Sequence, residues 1–438
     1  MRVAFRAACF ALAVDLLATA FGAAQACDTG TITASAALVH LYFTAYDQVF
    51  SMDVLPEPDG TTYISTGDIK AEWLRDSSAV ARAYLGRTKT DDAVRKTLRG
   101  VITRQARYIL LDPYANAFSV DYQVLERKFE LDSLMYPIWL AYAYWHETGD
   151  GSIFDGQESL AFDRILSVLR DEQRHSERSH YRRSDLPNAG RGSAVAFTGM
   201  VWDGFRPSDD PTHYGYNIPA NALAVVVMRY LNEIEQKVYR NSRQAANAWG
   251  LATQIKRGIE QYGLVDRSGI GKLYAYEVDG LGGADLMDDA NVPSLLSLPY
   301  FGYIPVNDAT YQTTRRFILS NDNRYFFTGS YAQGIGSAHT PHGYIWPMAL
   351  IMQAFTSRED TETARVLEYI AASVVGDGRL HESFDANDPN EFTRGNFAWP
   401  NALYTELITA LQPKVDVAST ATTDLECFNG IANPNQVP

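Results

Sequence analysis

Pro219-Ala-Asn-Ala-Leu-Ala-Val-Val-Val-Met-Arg-Tyr-Leu-Asn-Glu-Ile-Glu-Gln-Lys-Val-Tyr-Arg240 decides the fold. Its apolar residues recur at helical spacing, and only Asn241 separates it from a second helical stretch, Ser242 to Tyr262. So short a break makes the two helices antiparallel neighbours. Working outward, the same periodicity returns over Ala37 to Phe50, Ser77 to Leu85, Asp92 to Leu111, Ser133 to Glu147, Ser159 to Arg174, Ser294 to Tyr303, Ala309 to Ser320, Tyr344 to Thr356, Glu362 to Ser373 and Asn401 to Leu411. Start signals support several of them, such as Asp91 or Asp92 ahead of Ala93, and Asp360-Thr-Glu-Thr ahead of Ala364. No convincing alternating strand run appears. Twelve helices make six antiparallel pairs, which predicts an all-α, (α/α)6 barrel. A solenoid would need a self-similar repeat of roughly 34–47 residues, and none is found. No linker divides the chain, so one domain is expected over residues 27–438, ending in a loop-rich tail from Gln412 to Pro438.

In such a barrel the N-terminal loops of the inner helices share one mouth, and the polar motifs fall in those loops. Immediately before the opening helix stands Trp202-Asp-Gly-Phe-Arg-Pro-Ser-Asp-Asp210, two adjacent carboxylates with a guanidinium and two aromatics. Glycoside hydrolysis uses such groups: one acid protonates the leaving oxygen, and a second carboxylate elsewhere activates water or attacks the sugar. Repulsion between adjacent anions raises one pKa, which suits an acid. Asp209 is preferred for that role, because Asp210 precedes Pro211 and is held extended. Asp210 is the alternative.

Composition narrows the partner. A net charge of −14 with no basic stripe argues against nucleic acid, phosphate-rich ligands and anionic membranes. The 26 tyrosines and 7 tryptophans supply rings that stack on sugar faces, although buried helix packing accounts for many of them more simply. A neutral, polyhydroxylated ligand fits this balance. Residues 1–26 carry Arg2 and Arg6, an apolar segment and Ala24-Gln25-Ala26, the pattern of a secretory signal peptide, so a secreted or periplasmic protein is expected. Asp15 within the apolar segment opposes that reading, and a buried amphipathic helix is the alternative. No other run is long and apolar enough to span a bilayer. Cleavage after Ala26 would remove Cys9 and leave Cys27 and Cys427. A disulfide between them, two free thiols and a lipid-modified Cys27 all stay open.

Five further loops carry polar motifs. Trp73-Leu-Arg75-Asp76 offers a ring, a forked donor and a carboxylate, although Asp76 and Ser77 also suit a helix cap. Glu126-Arg127-Lys-Phe-Glu-Leu-Asp132 precedes an apolar helix, so its charges line the mouth or a solvated face. Met287-Asp-Asp289-Ala-Asn291-Val-Pro293 is either pocket or cap. His339 and His342 stand three apart, but no Cys or His-Glu cluster completes a metal site, so hydrogen bonding to sugar hydroxyls suits them better. His381-Glu382-Ser-Phe384, followed by Phe397-Ala-Trp399-Pro400, supplies the candidate general base, Glu382.

Gly67-Asp-Ile-Lys-Ala-Glu-Trp-Leu-Arg-Asp-Ser77, Glu126-Arg-Lys-Phe-Glu130, Gly204-Phe-Arg-Pro-Ser-Asp-Asp210, Met287-Asp-Asp-Ala-Asn-Val-Pro-Ser-Leu-Leu296 and His381-Glu-Ser-Phe384, in this order, resemble the exo-acting α-1,6-mannosidases of glycoside hydrolase family 125. The resemblance implies an (α/α)6 barrel, inversion of anomeric configuration, and neither metal nor cofactor. It puts the general acid on the Ser208-Asp-Asp210 motif and the base on Glu382. The pocket around a terminal mannose would then be built from Trp73, Arg75, Asp76, Glu126, Arg127, Arg206, Asp210, Asp289, Asn291, His339, His342 and Trp399. An inverting pair is expected roughly 6.5–9.5 Å apart, leaving room for water. The rivals are another (α/α)6 hydrolase or a phosphorylase, which would need a cationic phosphate pocket, and a non-catalytic mannoside-binding protein.

Overall fold

A computed structural model describes residues 32–33, 36–376, 378–411 and 415–416. The expected signal segment, Cys27, Cys427 and most of the expected tail lie outside them. Eleven helices of nine or more residues are present among the described residues: α1 (Ala36–Met52), α2 (Leu74–Arg82), α3 (Asp92–Leu111), α4 (Leu131–Thr148), α5 (Glu158–Gln173), α6 (Ile218–Lys237), α7 (Ser242–Tyr262), α8 (Ala309–Ile318), α9 (Pro347–Phe355), α10 (Asp360–Ala372) and α11 (Ala398–Leu411).

The opening stretch folds as α6, and its neighbour as α7. Asn217 caps α6 by accepting from the Ala220 N–H at 2.9 Å, with Pro219 in the first turn. Arg240, in the left-handed region at φ 53°, turns the chain. Asn241 then accepts from the Gln244 N–H at 3.2 Å to start α7, which packs along α6. Every residue of α6 from Ile218 to Met228 is buried, whereas α7 buries one face and exposes Trp249. That difference sorts the helices into two layers, because a helix apolar on all sides must be enclosed. Helices α2, α4, α6, α9 and α11 form the inner layer, with α2 against α4, α4 against α6, α9 against α11 and α11 against α2. In the outer layer, α1 lies on α11, α3 beside α5, α7 on α6 and α10 on α9. Each fully buried leucine or isoleucine in these contacts, such as Leu231 and Ile234, contributes about 1.5–3 kcal/mol.

The twelfth expected helix, Ser294 to Tyr303, is a succession of turns. The Asp288 carboxylate accepts from the N–H groups of Leu295 and Leu296, and the Ser294 and Ser297 hydroxyls each accept from the other's N–H. Side chains have taken the backbone bonds a helix would use, and Pro299 lacks one altogether. Short strands, absent from the sequence reading, organise the loops instead. Three-stranded sheets unite 72–73 with 117–118 and 124–126, 216–217 with 277–278 and 284–285, and 344–345 with 383–385 and 392–393. Strands of two to four residues are too short to register as alternation. Among the described residues no helix is long and apolar enough to cross a membrane.

Candidate active site

The inner helices bring their N-terminal turns to one place. Arg75 and Asp76 lie in the first turn of α2, Asp132 in that of α4 and Trp399 in that of α11. Arg75 is the hub. Its guanidinium donates to Glu130 at 2.8 Å and to Asp132 at 3.1 Å, lies 3.6 Å from Asp209 and 3.7 Å from Asp76, and sits 5.9 Å from the centre of the Trp399 ring. The Arg75 side chain is only 2% exposed. Trp399 itself is buried beneath it.

The Trp202–Asp210 stretch divides into an anchor and a presenting turn. Trp202 is fully buried, stacked on His175 at 3.7 Å and on Phe129 at 6.1 Å. A Cβ at Gly192, Gly204 or Gly215 would approach it to 2.4, 2.8 or 2.5 Å, so glycine is required around this wedge. Asp203 accepts from the Leu131 N–H at 3.0 Å, tying the stretch to the start of α4. The turn follows: the Arg206 N–H donates to the Asp210 carbonyl at 2.7 Å and the Asp209 N–H to the Arg206 carbonyl at 2.9 Å. Asp209 pays for its position with a left-handed φ of 68°, a strain found at functional sites. Asn116 donates to its Oδ1 at 3.3 Å. Asp210 lies 3.5 Å from His339.

Glu382 arrives from the far end of the chain. Strand pairing of Ser383–Asp385 with Phe392–Thr393 fixes its backbone, whose N–H donates to the Thr393 carbonyl at 3.2 Å. Arg394 lies 3.9 Å from its Oε1, and is itself held by Asp68 at 2.6 Å. Burial raises the Glu382 pKa, while Arg394, Thr393 and His339 oppose the rise. The His339 imidazole links the two halves, because its hydrogen bond to Asp210 and the charges of Asp210, Asp209 and Glu382 all raise its pKa against burial. Asp76 faces the same space. Burial lifts it to about 6, with Arg75 and Arg394 opposing and Asp209 adding to the rise. At Asp209 burial opposes ionisation, yet the hydrogen bond to Glu130 and the charges of Arg75, Lys128 and His339 hold its carboxyl below the usual range. The adjacent-anion argument for a raised Asp209 therefore does not describe this environment. The surrounding cations outweigh the neighbouring carboxylate.

Other expected residues brace the site. Asp289 is fully buried and accepts from the Ser208 hydroxyl at 2.8 Å, clamping the Asp209 turn from behind. Asn291 accepts from the Val292 N–H at 2.9 Å, and no helix follows for it to cap. Arg206 is buried against Glu277 at 2.5 Å, so it locks the turn to the loop sheet. Glu126 accepts from Asn116 at 2.9 Å and pairs with Lys128 at 2.9 Å. Trp73, half-buried, leads into α2.

Two expectations diverge. Arg127 pairs with Asp112 at 2.6 Å and lies over the Tyr114 and Tyr181 rings, because its neighbour Lys128 takes the direction toward Asp209. His342 turns away from His339, packing edge-on to Phe327 at 4.8 Å in a groove of about 510 Å³ shared with Arg324, Asp385 and Asn387. His342 stands just before the 344–345 strand, whose pairing with 384–385 brings it beside Asp385 and Phe327 rather than Asp210. Sequence reading also passed over Glu130, Asp132, Asn116 and Lys128 as individual site residues. The first two had a signal, carboxylates at the start of a buried helix; Asn116 sits in a loop with none. Among the described residues no group of three or more His, Cys, Asp or Glu is arranged to hold a metal. A guanidinium occupies the centre of the carboxylate cluster.

A helical scaffold that gathers carboxylates from distant loops around Arg75 and His339 suits a glycoside hydrolase, and comparison with known proteins gives that class. The sequence profile of the metal-independent α-mannosidases, glycoside hydrolase family 125, matches residues 35–409, and this chain belongs to that family. A Streptococcus pneumoniae metal-independent α-mannosidase, solved in a non-productive complex with α-1,6-mannobiose, is 42% identical, with a TM-score of 0.83 over 86% of this chain and 93% of that one. The meiotically up-regulated gene 157 protein of Schizosaccharomyces pombe is 39% identical over 391 residues, covering 79% of this chain and 76% of its own. A glucoamylase from Saccharomycopsis fibuligera, 10% identical, shares the fold with a TM-score of 0.58 over 88% of this chain and 97% of its own.

Proposed function

We propose that this glycoside hydrolase is an exo-acting α-mannosidase that removes a terminal α-1,6-linked mannose from an N-glycan or mannan oligosaccharide with inversion. Its scaffold is a single catalytic (α/α)6 barrel, in which the turns of 294–303 take the place of one inner helix. The observation that carries the reading is His339, which lies 3.5 Å from Asp210 and within electrostatic reach of both Asp209 and Glu382, residues from distant parts of the chain. Two carboxylates drawn from separate loops to one site suit single displacement, in which one acts as acid and the other as base. Asp209 protonates the glycosidic oxygen as the C1–O bond breaks, and Glu382 takes a proton from the water that attacks C1 from the opposite face. Arg75 and Trp399 are buried together where the helix N-termini meet, and a site closed there takes a chain end rather than an internal residue. Both Arg75 and Arg394 are already matched by carboxylates, which disfavours a phosphate nucleophile. The α-1,6 preference draws on the S. pneumoniae relative, which was solved with that disaccharide. Export through the 1–26 segment belongs to the same proposal, and N-terminal sequencing of the exported protein, expected to begin at Cys27, tests it.

Time-resolved proton NMR on α-1,6-mannobiose, with and without chelator, tests the reaction. The β-anomer of mannose should appear first at equal rates in both samples. Early spectra dominated by the α-anomer would exclude single displacement.

A further inference from the structure

Four carboxyl groups, those of Asp76, Glu130, Asp132 and Asp209, surround the one guanidinium of Arg75 within 3.7 Å. The next cation, Lys128, pairs with Glu126. One positive charge cannot support three buried anions and a fourth that is four-fifths enclosed, so the cluster must hold protons of its own. Hydrogen-bond counting locates one of them. The Asn116 side-chain nitrogen has two hydrogens but faces three carboxyl oxygens, of Glu126 at 2.9 Å, Glu130 at 3.1 Å and Asp209 at 3.3 Å. Arg75 NH1 and the Ser133 hydroxyl, at 2.8 Å each, occupy the second Glu130 oxygen.

We propose that Glu130 is a positioning residue that shares one proton with Asp209, so that the acid function belongs to the pair rather than to Asp209 alone. The proposal rests on the reading of Asp209 as the acid, and it explains how that residue serves in a cationic setting. Burial and the neighbouring charges of Asp209 and Asp132 push the Glu130 carboxyl well up despite Arg75, while Asp209 is held down. The shared proton is therefore drawn toward Glu130, whose Oε1 meets Asp209 Oδ1 at the Asn116 amide nitrogen. The groups facing the pair are Arg75 and Asp76 from α2, Asp132 from α4, Lys128 and Glu126 from the preceding loop, and His339 from the loop before α9. In turnover the shared proton goes to the glycosidic oxygen, which keeps the electrons of the C1–O bond. The pair passes from one negative charge to two, with Arg75 and Lys128 as counter-ions. Glu382 gains the proton of water, releases it to solvent, and the pair is reprotonated from solvent.

The test is the pH profile of kcat/KM for the full-length enzyme, its Glu130→Gln, Asn116→Ala and Asp209→Asn variants, on α-1,6-mannobiose and on a dinitrophenyl α-mannoside whose leaving group needs no proton. Gln keeps hydrogen bonding but cannot hold the proton, so in Glu130→Gln the alkaline limb on mannobiose should move down by about one pH unit or more. Activity on the dinitrophenyl substrate should change by less than about threefold. Asn116→Ala removes a donor to both anions and should move the same limb upward, which keeps the test open if Glu130→Gln does not fold. A limb unmoved in a folded Glu130→Gln, or moved downward in Asn116→Ala, overturns the shared proton. Asp209→Asn should lose mannobiose hydrolysis and retain the dinitrophenyl substrate. Equal loss on both substrates would overturn the assignment of Asp209 itself.

Discussion

Glu382 illustrates how a single residue acquires its chemistry from its surroundings. A base works only when ionised, and burial raises the pKa of this one, so the rate should fall as pH drops through a value above the ordinary glutamate range of about 4.3. Arg394 opposes that rise, and Arg394→Ala should therefore move the acidic limb of kcat/KM further up; a downward shift would contradict the assigned cause. Glu382→Gln should cost about 10²–10⁴ in kcat while mannose binding, read by calorimetry, persists. Arg75 is the opposite case, a residue whose role is first structural. Arg75→Met would leave four carboxyls without their central cation and should destabilise the fold by about 3–5 kcal/mol in urea titrations. Arg75, Asp76 and Glu382 were legible because they sit in dense motifs. The directions taken by Arg127 and His342 were not, since sequence spacing says nothing of where a loop turns.

At the scale of elements, the helices whose apolar residues keep a 3.6 period were readable nearly to their ends. Asp92–Leu111 and Ser242–Tyr262 begin and end where the sequence places them, each with an Asp or Asn cap just before it. Ser294 to Tyr303 was misread because side-chain competition for backbone groups leaves no periodic trace. Asp288→Ala should cost about 1–3 kcal/mol by orphaning the N–H groups of Leu295 and Leu296. Hydrogen exchange at those two amides is the direct measurement, and unchanged protection would show that the turns hold without it. A different constraint governs Gly67, where φ is 116° and a Cβ would come within 2.2 Å of the Asn396 carbonyl.

Across the whole molecule several buried carboxyl groups are held above the ordinary carboxylate range. Burial lifts Asp53 and Asp76 to about 6, and Glu72 and Asp288 to about 8. Each folded pKa lies above its unfolded value, so the unfolded chain gives up these protons first. The stability these four groups contribute is then greatest below their unfolded values and declines as pH rises through about 4 to 8, with the −14 net charge adding repulsion in the same direction. Scanning calorimetry should find a lower Tm at pH 8.5 than at pH 5.5, and the reverse order would refute this. Those shifts are invisible in sequence, because they depend on enclosure.

Periodicity by itself determined that the chain is helical and that its acidic and aromatic motifs lie between helices or in their first turns, because these depend on local spacing. Tertiary structure alone decided that Asp209 and Glu382 both come within electrostatic reach of His339, that Arg75 gathers four carboxyls, and that Glu130 and Asp209 meet at Asn116. Those depend on which helix N-termini meet, and packing of the inner layer, rather than any local signal, brings them together.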